Sequence, residues 1–401
     1  MQEFEIFKSP ISGTIPSEIG KLTAAHYFRL TGTNLTGSIC TEVGMMKDLN
    51  MLRLTHNPIS GRIPSELGLL PYLKDISLSR NQLSGTIPSE IASFGGASIE
   101  LRENLLTGNI PSEFGFLTSA EFFTLNNNML TGTIPSELAL MTSLSGVTLH
   151  TNMLTGTIPS EFGNMFQEPY IASEDAVQFY MDMDLSGNQL TGTIPLTLGQ
   201  MVYCNGLILS ENKLTGAIPS ELGYLPLLEG LDLSRNNLTA LPSELGLLST
   251  VRQIDLSENK LYGKIPTELG LLNGTLVVPC MWCGPEDKAL NLSSNLLFGG
   301  IPSELGQLSA MGVLSLAQNQ LTGTIPTALG GLEVTVELWL NENMLEGSIP
   351  FELGLLGNLT LLNVSGNSLS GFVPSSLCYL NESLFDFDCS DTLCGCQCRC
   401  S

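Results

Sequence analysis

Cysteine is the residue type in this chain best able to do chemistry, and its spacing is uneven. Of ten cysteines, six crowd into the last 24 residues: Cys378, Cys389, Cys394, Cys396, Cys398 and Cys400. So dense a run suits either disulfides in an oxidising compartment or a thiolate cage around a soft metal. Disulfides are the expectation, although sequence does not choose their pairing. Cys280 and Cys283 have the spacing of a redox pair but no βαβ setting to lower a thiol pKa, so they predict a small structural loop bridge. Cys40 and Cys204 stand too far apart along the chain's repeats to pair with each other and are expected to be thiols. The three histidines, His26, His56 and His150, are too scattered to form a tight ligand set for a metal. There is no nucleophile–base pair, phosphate-cradling loop or metal motif, so neither an enzyme nor a cofactor is expected. Seven Asn-x-Ser/Thr sequons, at Asn34, Asn237, Asn273, Asn291, Asn358, Asn363 and Asn381, are candidates for N-glycans and favour a secretory route.

These residues are positioned by one recurring phrase, commonest as Asn-x-Leu-Thr-Gly-Thr-Ile-Pro-Ser-Glu-Leu-Gly. Its Ile-Pro core, or a variant, returns fifteen times between Ile15 and Val373, mostly at a 24-residue step, with two steps of 36. A period in the twenties marks a solenoid, because a single unit cannot bury its own apolar face whereas stacked copies can. In Gly230-Leu231-Asp232-Leu233-Ser234-Arg235-Asn236, alternation of Leu with polar residues predicts a strand buried on one face. Asn occupies the strand-ending position in thirteen repeats: Asn57, Asn81, Asn104, Asn128, Asn152, Asn188, Asn212, Asn236, Asn259, Asn295, Asn319, Asn343 and Asn367. Ser9 and Thr33 replace it in the first two. An amide carries donor and acceptor together, so an inward column of Asn can satisfy the backbone of its own and the adjoining coil. The Gly of Thr-Gly-Thr is expected at a tight bend. Pro-Ser-Glu-Leu-Gly is expected to open a short helical turn on Pro and close it on Gly.

The expected domain plan is a solenoid over 1–377, with insertions near 164–180 and 272–288, followed by a Cys-rich cap over 378–401. The cap would hide the apolar end of the stack. Phe4 and Ile6 form a first strand with nothing before them to cover it, and no charged-then-apolar leader is present. The expectation is a portion of a longer protein, or an N-terminal coil covered by another molecule or by self-association.

The net charge of −23 disfavours nucleic acid as a partner, since a phosphate backbone requires a dense cationic footprint. No run of apolar residues is long enough for a membrane span. Residues 1–105 hold nine of the sixteen Lys and Arg, whereas 106–212 hold none.

The period, the Asn column and the Gly-x-Ile-Pro phrase resemble the plant-type leucine-rich repeat, LxxLxLxxNxLTGxIPxxLGxL, from Phe4 to about Leu377. That family includes ectodomains of plant receptor kinases and polygalacturonase-inhibiting proteins. The uniform Thr-Gly-Thr-Ile-Pro-Ser-Glu wording looks closer still to secreted leucine-rich-repeat proteins of algae such as diatoms. The resemblance implies a right-handed curved α/β solenoid of about 15 coils, with a parallel concave β-sheet and short 3-10 helical turns on the convex side. It also implies an extracellular protein, at the cell surface or in the cell wall, that binds protein or polysaccharide. Unlike the plant receptors, the chain shows no N-terminal cysteine-paired cap, membrane span or kinase domain.

Outward strand positions give a central column of Glu5, Arg29, Arg53, Ser77, Glu100, Thr124, Thr148, Asp184, Ile208, Asp232, Asp255, Asn291, Ser315, Trp339 and Asn363. Tyr27, Lys74, Arg80, Arg102 and the histidines flank it. The face is expected to be cationic near the start, through Arg29, Arg53 and Arg80, and acidic at Asp184, Asp232 and Asp255. That makes it a candidate electrostatic groove. Aromatics in the insertions, including Phe166, Tyr170 and Trp282, and Trp339 on the face, are candidate contacts. A column of Glu from Glu18 to Glu352 suits helix N-termini, and calcium bridging is not expected from one carboxylate per coil. Two alternatives stand beside recognition: a structural or self-assembling matrix protein, and ice binding through the Thr-Gly-Thr ladder.

Overall fold

A computed structural model describes residues 2–168, 181–272, 288–375, 377 and 385–386. The chain divides into two compact units, Met1–Cys204 and Asn205–Ser401. Each is a stretch of α/β solenoid.

In the first unit, eight strands pair in parallel in chain order: Glu3–Phe7, Tyr27–Thr31, Met51–Arg53, Asp75–Ser77, Ser98–Glu100, Phe122–Thr124, Gly146–Thr148 and Asp182–Asp184. In the second, the order is Gly206–Ile208, Gly230–Asp232, Gln253–Asp255, Ala289–Asn291, Val313–Ser315, Glu337–Trp339, Leu361–Asn363 and Phe385–Asp386. The last strand pairs Leu362 with Phe385 and Asn363 with Asp386, so the sheet runs past the boundary expected at 377. The sequence phase is right: Glu5 pairs with Arg29 and Arg29 with Arg53, and the column continues in register through each unit.

Each strand is three to five residues long, save the two-residue last one, because only its central residues alternate inward. Leu231 and Leu233 are buried, and Leu238, Leu245 and Leu248 close the same coil from the other sides. The chain then turns at Gly, for instance Gly156 with φ +80°, and a second run of short parallel pairings follows. Thr155 Oγ1 and Thr191 Oγ1 reach back to the carbonyls of Gly132 and Gly156, both at 3.2 Å, tying each bend to the coil before it.

The opposite side carries five-residue 3-10 helices such as Ser65–Leu69, Ser112–Phe116 and Ser243–Leu247. Two expectations need correcting here. Pro does not occupy the first helical position: Pro64, Pro111 and Pro242 are extended N-caps, with φ near −70° and ψ near 135°. Nor does the Gly of Ser-Glu-Leu-Gly end its helix by a left-handed turn, as Gly95 does after Ser89–Phe94 with φ +65°. Gly68 and Gly246 lie inside their helices, where an added Cβ would stand 2.1 Å from the carbonyl oxygen of Glu90 or Glu268 in the next coil. Glycine is required there by close stacking of backbones, not by backbone conformation.

The Asn column closes the core on the strand side. Asn236 Nδ2 donates to the carbonyls of Leu209 (3.0 Å), Leu233 (3.2 Å) and Ser234 (3.1 Å), while its Oδ1 accepts from Leu214 N–H at 3.0 Å. The same pattern recurs at Asn104, Asn128, Asn152, Asn188, Asn259, Asn295, Asn319 and Asn343. Asn212, 8 % exposed, donates within its own coil to Leu209 O at 3.2 Å and Ser210 O at 3.1 Å.

The column is not uniformly buried, which corrects the expectation of a wholly inward series: Asn81 and Asn367 are half-buried. Their bonds are nevertheless of the same kind. Asn81 Nδ2 donates to Leu54 O and Leu78 O, both at 2.8 Å, and its Oδ1 accepts from Ile59 N–H at 3.3 Å. Asn367 Nδ2 donates to Leu340 O and Val364 O, both at 2.9 Å, and its Oδ1 accepts from Leu345 N–H at 3.0 Å. At the start of the column Asn57 Nδ2 donates to Leu30 O at 2.8 Å and Leu54 O at 3.2 Å. Thr33, which replaces Asn, is buried and donates its hydroxyl to Asn57 Oδ1. Ser9 instead donates to its neighbour Phe7 O.

Candidate recognition surface

The strand face of the first unit is not the free cationic patch that its composition suggests. Arg53 pairs with Asp75, Arg29 lies 3.7 Å from Glu5, and Arg80 Nε donates to Glu103 Oε1 at 2.8 Å. Each cation faces an acid one coil away, a contact created by stacking that linear charge counting does not reveal. Arg80 Nη1 also donates to His56 Nε2 at 2.8 Å, which requires an unprotonated acceptor nitrogen. Partial desolvation and then the Arg80 charge push the His56 imidazole below its ordinary pKa.

The acidic column is likewise engaged. Asp184, Asp232 and Asp255 each accept, through Oδ1, the backbone N–H and hydroxyl of the serine two residues on, at 2.6–3.0 Å. Asn291 and Asn363 do the same with Ser293 and Ser365. These are side-chain turns that end the strands. Asn363 is also buried, unlike Asn34 and Asn358, which are exposed. Asn237 and Asn291 are half-buried.

Unmet polar capacity lies elsewhere on the same face. Ser79, Arg102 and Asn126 hold one position in three successive coils, two residues after Ser77, Glu100 and Thr124 of the central column. Ser79 Oγ, Arg102 Nε, Thr124 Oγ1 and Asn126 Oδ1 are all buried without a hydrogen-bond partner. Ser79 and Asn126 are 2 % and 6 % exposed. Four such atoms in adjoining coils depart from the rule that buried polar groups are paired. The signal for this cluster in the sequence is weak: Arg102 is one basic residue among several flanking the central column, and nothing local to it shows that its Nε goes unmatched.

In the second unit a groove of about 380 Å³ crosses the strand face between Asp255 and Trp339, floored by Ala289, Ser293, Ser315 and Ala317. Trp339 lines the same groove, its Nε1 donating to Glu337 Oε2 at 3.0 Å. Asn341 Oδ1, at the same groove, is buried and unpartnered.

The other candidates are placed as follows. Phe166 is buried, 2 % exposed, and serves the core instead of a binding loop. Tyr170, Trp282, Cys280, Cys283, Asn273, Asn381, Cys378, Cys389, Cys394, Cys396, Cys398 and Cys400 lie outside the described residues. Cys204 is buried and Cys40 is a half-buried thiol, with burial and then Glu42 pushing the Cys40 thiol pKa up. Glu18, Glu66 and their counterparts sit in the first helical turn, several accepting a hydroxyl from the preceding Ser or Thr, as Glu66 does from Ser65 at 3.4 Å. Among the described residues no group of three His, Cys, Asp or Glu could hold a metal ion, and no helix is long and apolar enough to cross a membrane.

A parallel strand ladder, an Asn column and stacked 3-10 turns define a leucine-rich-repeat solenoid. The Leucine Rich Repeat family model matches residues 48–70, 72–94, 182–201, 288–308, 312–332 and 358–380. Among solved structures, the chain is similar to the plant peptide hormone receptor RGFR1 in complex with RGF2, at 30% identity and TM-score 0.63, over 95% of this chain and 66% of that one. It is similar to a TDR receptor at 27% identity and TM-score 0.74, over 95% and 67%. A plant ice-binding protein matches at 27% identity and TM-score 0.50, over 63% and 82%. No curated protein sequence matches. The chain thus spans about two thirds of the two receptor chains. This chain is a leucine-rich-repeat protein of plant type.

Proposed function

We propose that this chain is an extracellular recognition protein whose strand face binds an extended polypeptide. The observation that carries this reading is the cluster of buried, unpartnered polar atoms on Ser79, Arg102, Thr124 and Asn126. A bound backbone offers N–H and C=O groups at strand spacing, the complement such a row requires. An acid group on the ligand would meet the Arg102 guanidinium. In the second unit the Trp339 groove would take an aromatic or apolar side chain, with Asn341 Oδ1 accepting a ligand donor. Similarity to receptors with bound peptide hormones supports a peptide over a polysaccharide, although the Trp339 groove also suits the flat face of a sugar ring. No chemical step is assigned to the chain.

The test is capture of secreted peptides and glycans on immobilised protein, comparing the native chain with Arg102→Gln/Asn126→Leu. Loss of a captured polypeptide supports the reading; capture that the double variant leaves unchanged removes it.

A second reading rests on the Thr ladder. Thr133, Thr157 and Thr193 are exposed in successive coils and line one continuous trough with Pro135, Pro159 and Pro195. Ice binding through this trough, as the plant ice-binding relative suggests, would appear as inhibited ice recrystallisation that Thr157→Tyr abolishes.

A further inference from the structure

The helical side of the first unit carries a row that the repeat does not need for folding. The final residues of four helices, Met45, Leu69, Phe116 and Leu140, are 57 %, 63 %, 71 % and 52 % exposed. Tyr72, just beyond Leu69, is 60 % exposed. Between Leu69 and Phe116 the fifth helix of this set, Ser89–Phe94, packs against both of its neighbours, so the helices form an unbroken stack. The backbone approach at Gly68 and Gly115 holds that stack tight. Within the first unit the row is bounded, since Lys21 ends the helix before it and Asn164 and Gln200 end the two helices after it. The second unit repeats it: Tyr224, Leu247 and Leu271 end three successive helices at 63 %, 50 % and 56 % exposure, three residues after Glu221, Glu244 and Glu268.

Singly exposed apolar side chains are ordinary on a protein surface, but large ones repeated at one position over successive coils form a patch of the kind that marks an interface. A row of charge runs beside it. The same five helices contain Glu42, Glu66, Glu90, Glu113 and Glu137 and no Lys, Arg or Asp. In the four helices with an exposed apolar end, each Glu stands three residues before that end, so carboxylates and apolar side chains form two parallel columns.

We propose that this helical face docks a polypeptide segment with apolar side chains along one edge and Lys or Arg along the other. Charge complementarity selects this occupant. A second copy of the chain, at net charge −23, would bring one carboxylate column against another. An anionic lipid surface meets the same repulsion. The proposal is independent of the strand-face reading, because it uses neither the same residues nor the same side of the coil.

The probe is a synthetic amphipathic 14-mer built from Leu and Lys, of roughly the length needed to form a short helix, with its Leu/Glu counterpart as control. Fluorescence anisotropy would compare the native chain with a variant in which Leu69, Phe116 and Leu140 of the first unit and their counterparts Tyr224, Leu247 and Leu271 of the second are all replaced by Ser. A second variant, Tyr262→Ser/Phe298→Ser/Met344→Ser, removes exposed apolar residues away from the helices at the same net charge. The expected result is binding at least about tenfold weaker in the first variant, a loss of roughly 1.4 kcal/mol. The second variant should bind as the native chain does, and the Leu/Glu peptide not at all. Photo-crosslinking of the Leu/Lys peptide to the native chain should label the helices within 41–140 and 220–271, a readout that survives if the first variant does not fold. Equal affinity in both variants, or labels scattered over the chain, would reduce the effect to net charge and overturn the proposal. So would a dimer that the first variant dissociates, which would assign the row to a second copy, or binding to neutral lipid vesicles that it abolishes.

Discussion

Asn236 shows why one residue type recurs at one position in every coil from Asn57 on. Its amide meets three carbonyls and one N–H, and no other side chain of that size offers two N–H donors and an acceptor. Asn236→Ala leaves these groups buried and unpaired, at a cost of about 2–4 kcal/mol. Asn236→Asp is expected to cost more, since a carboxylate would face three carbonyl oxygens. Urea unfolding followed by circular dichroism measures both, and an Asp variant as stable as the native chain would contradict this account of the column. At His56 the expectation concerns pH. Its folded pKa lies below the ordinary value, so the unfolded chain takes up the proton first as pH falls. Its contribution is complete above about pH 6.5 and declines below that value until the folded form also protonates. NMR titration should place the His56 midpoint below about 6.5, and Arg80→Gln should raise it by removing the neighbouring charge. A midpoint that does not move would show that Arg80 plays no part.

At the scale of the element, the stacking of 3-10 turns decides which glycines are replaceable. Gly→Ala inside a helix ordinarily stabilises by roughly 0.5–1 kcal/mol. Here Gly246→Ala would set a methyl group 2.1 Å from Glu268 O, so destabilisation by about 1–3 kcal/mol is expected. Gly357→Ala, with nothing within 4 Å, should be neutral or mildly stabilising. A stabilised Gly246 variant in the same unfolding assay would show that neighbouring turns can part freely. These elements were largely legible in the sequence. Leu231 and Leu233 fix the strand phase, Asn236 fixes its end and Gly216 fixes the bend, because each depends on a local property of the residue. What stayed hidden depends on the adjoining coil: the acid opposite each paired arginine, the carbonyl opposite each helical glycine, and the absence of a partner for Arg102 Nε. A further regularity lies in the backbone. The residue before each Asn adopts positive φ, from His56 at 58° to Glu342 at 54°, and Gly32, Gly187 and Gly366 in that same position are its sequence signal.

At the scale of the whole molecule, each unit presents two faces of different character. The strand face is polar and largely satisfied within itself, by ion pairs and side-chain turns in both units, as at Arg53 with Asp75 and Asp184 with Ser186 in the first and Arg235 with Glu258 and Asp232 with Ser234 in the second. Its exceptions are therefore informative: among the described residues the buried unpaired side-chain atoms are His26 Nδ1, Asn341 Oδ1 and, together in three adjoining coils, Ser79 Oγ, Arg102 Nε, Thr124 Oγ1 and Asn126 Oδ1. The central claim is that these atoms await a ligand backbone. Hydrogen–deuterium exchange of the native chain, with and without the secreted polypeptide fraction that it captures, tests that claim most directly. Protection is expected in the strands Asp75–Ser77, Ser98–Glu100 and Phe122–Thr124 and in the residues just after them, and it should vanish in Arg102→Gln/Asn126→Leu. Protection confined to the helices, or unchanged by that double substitution, would contradict it.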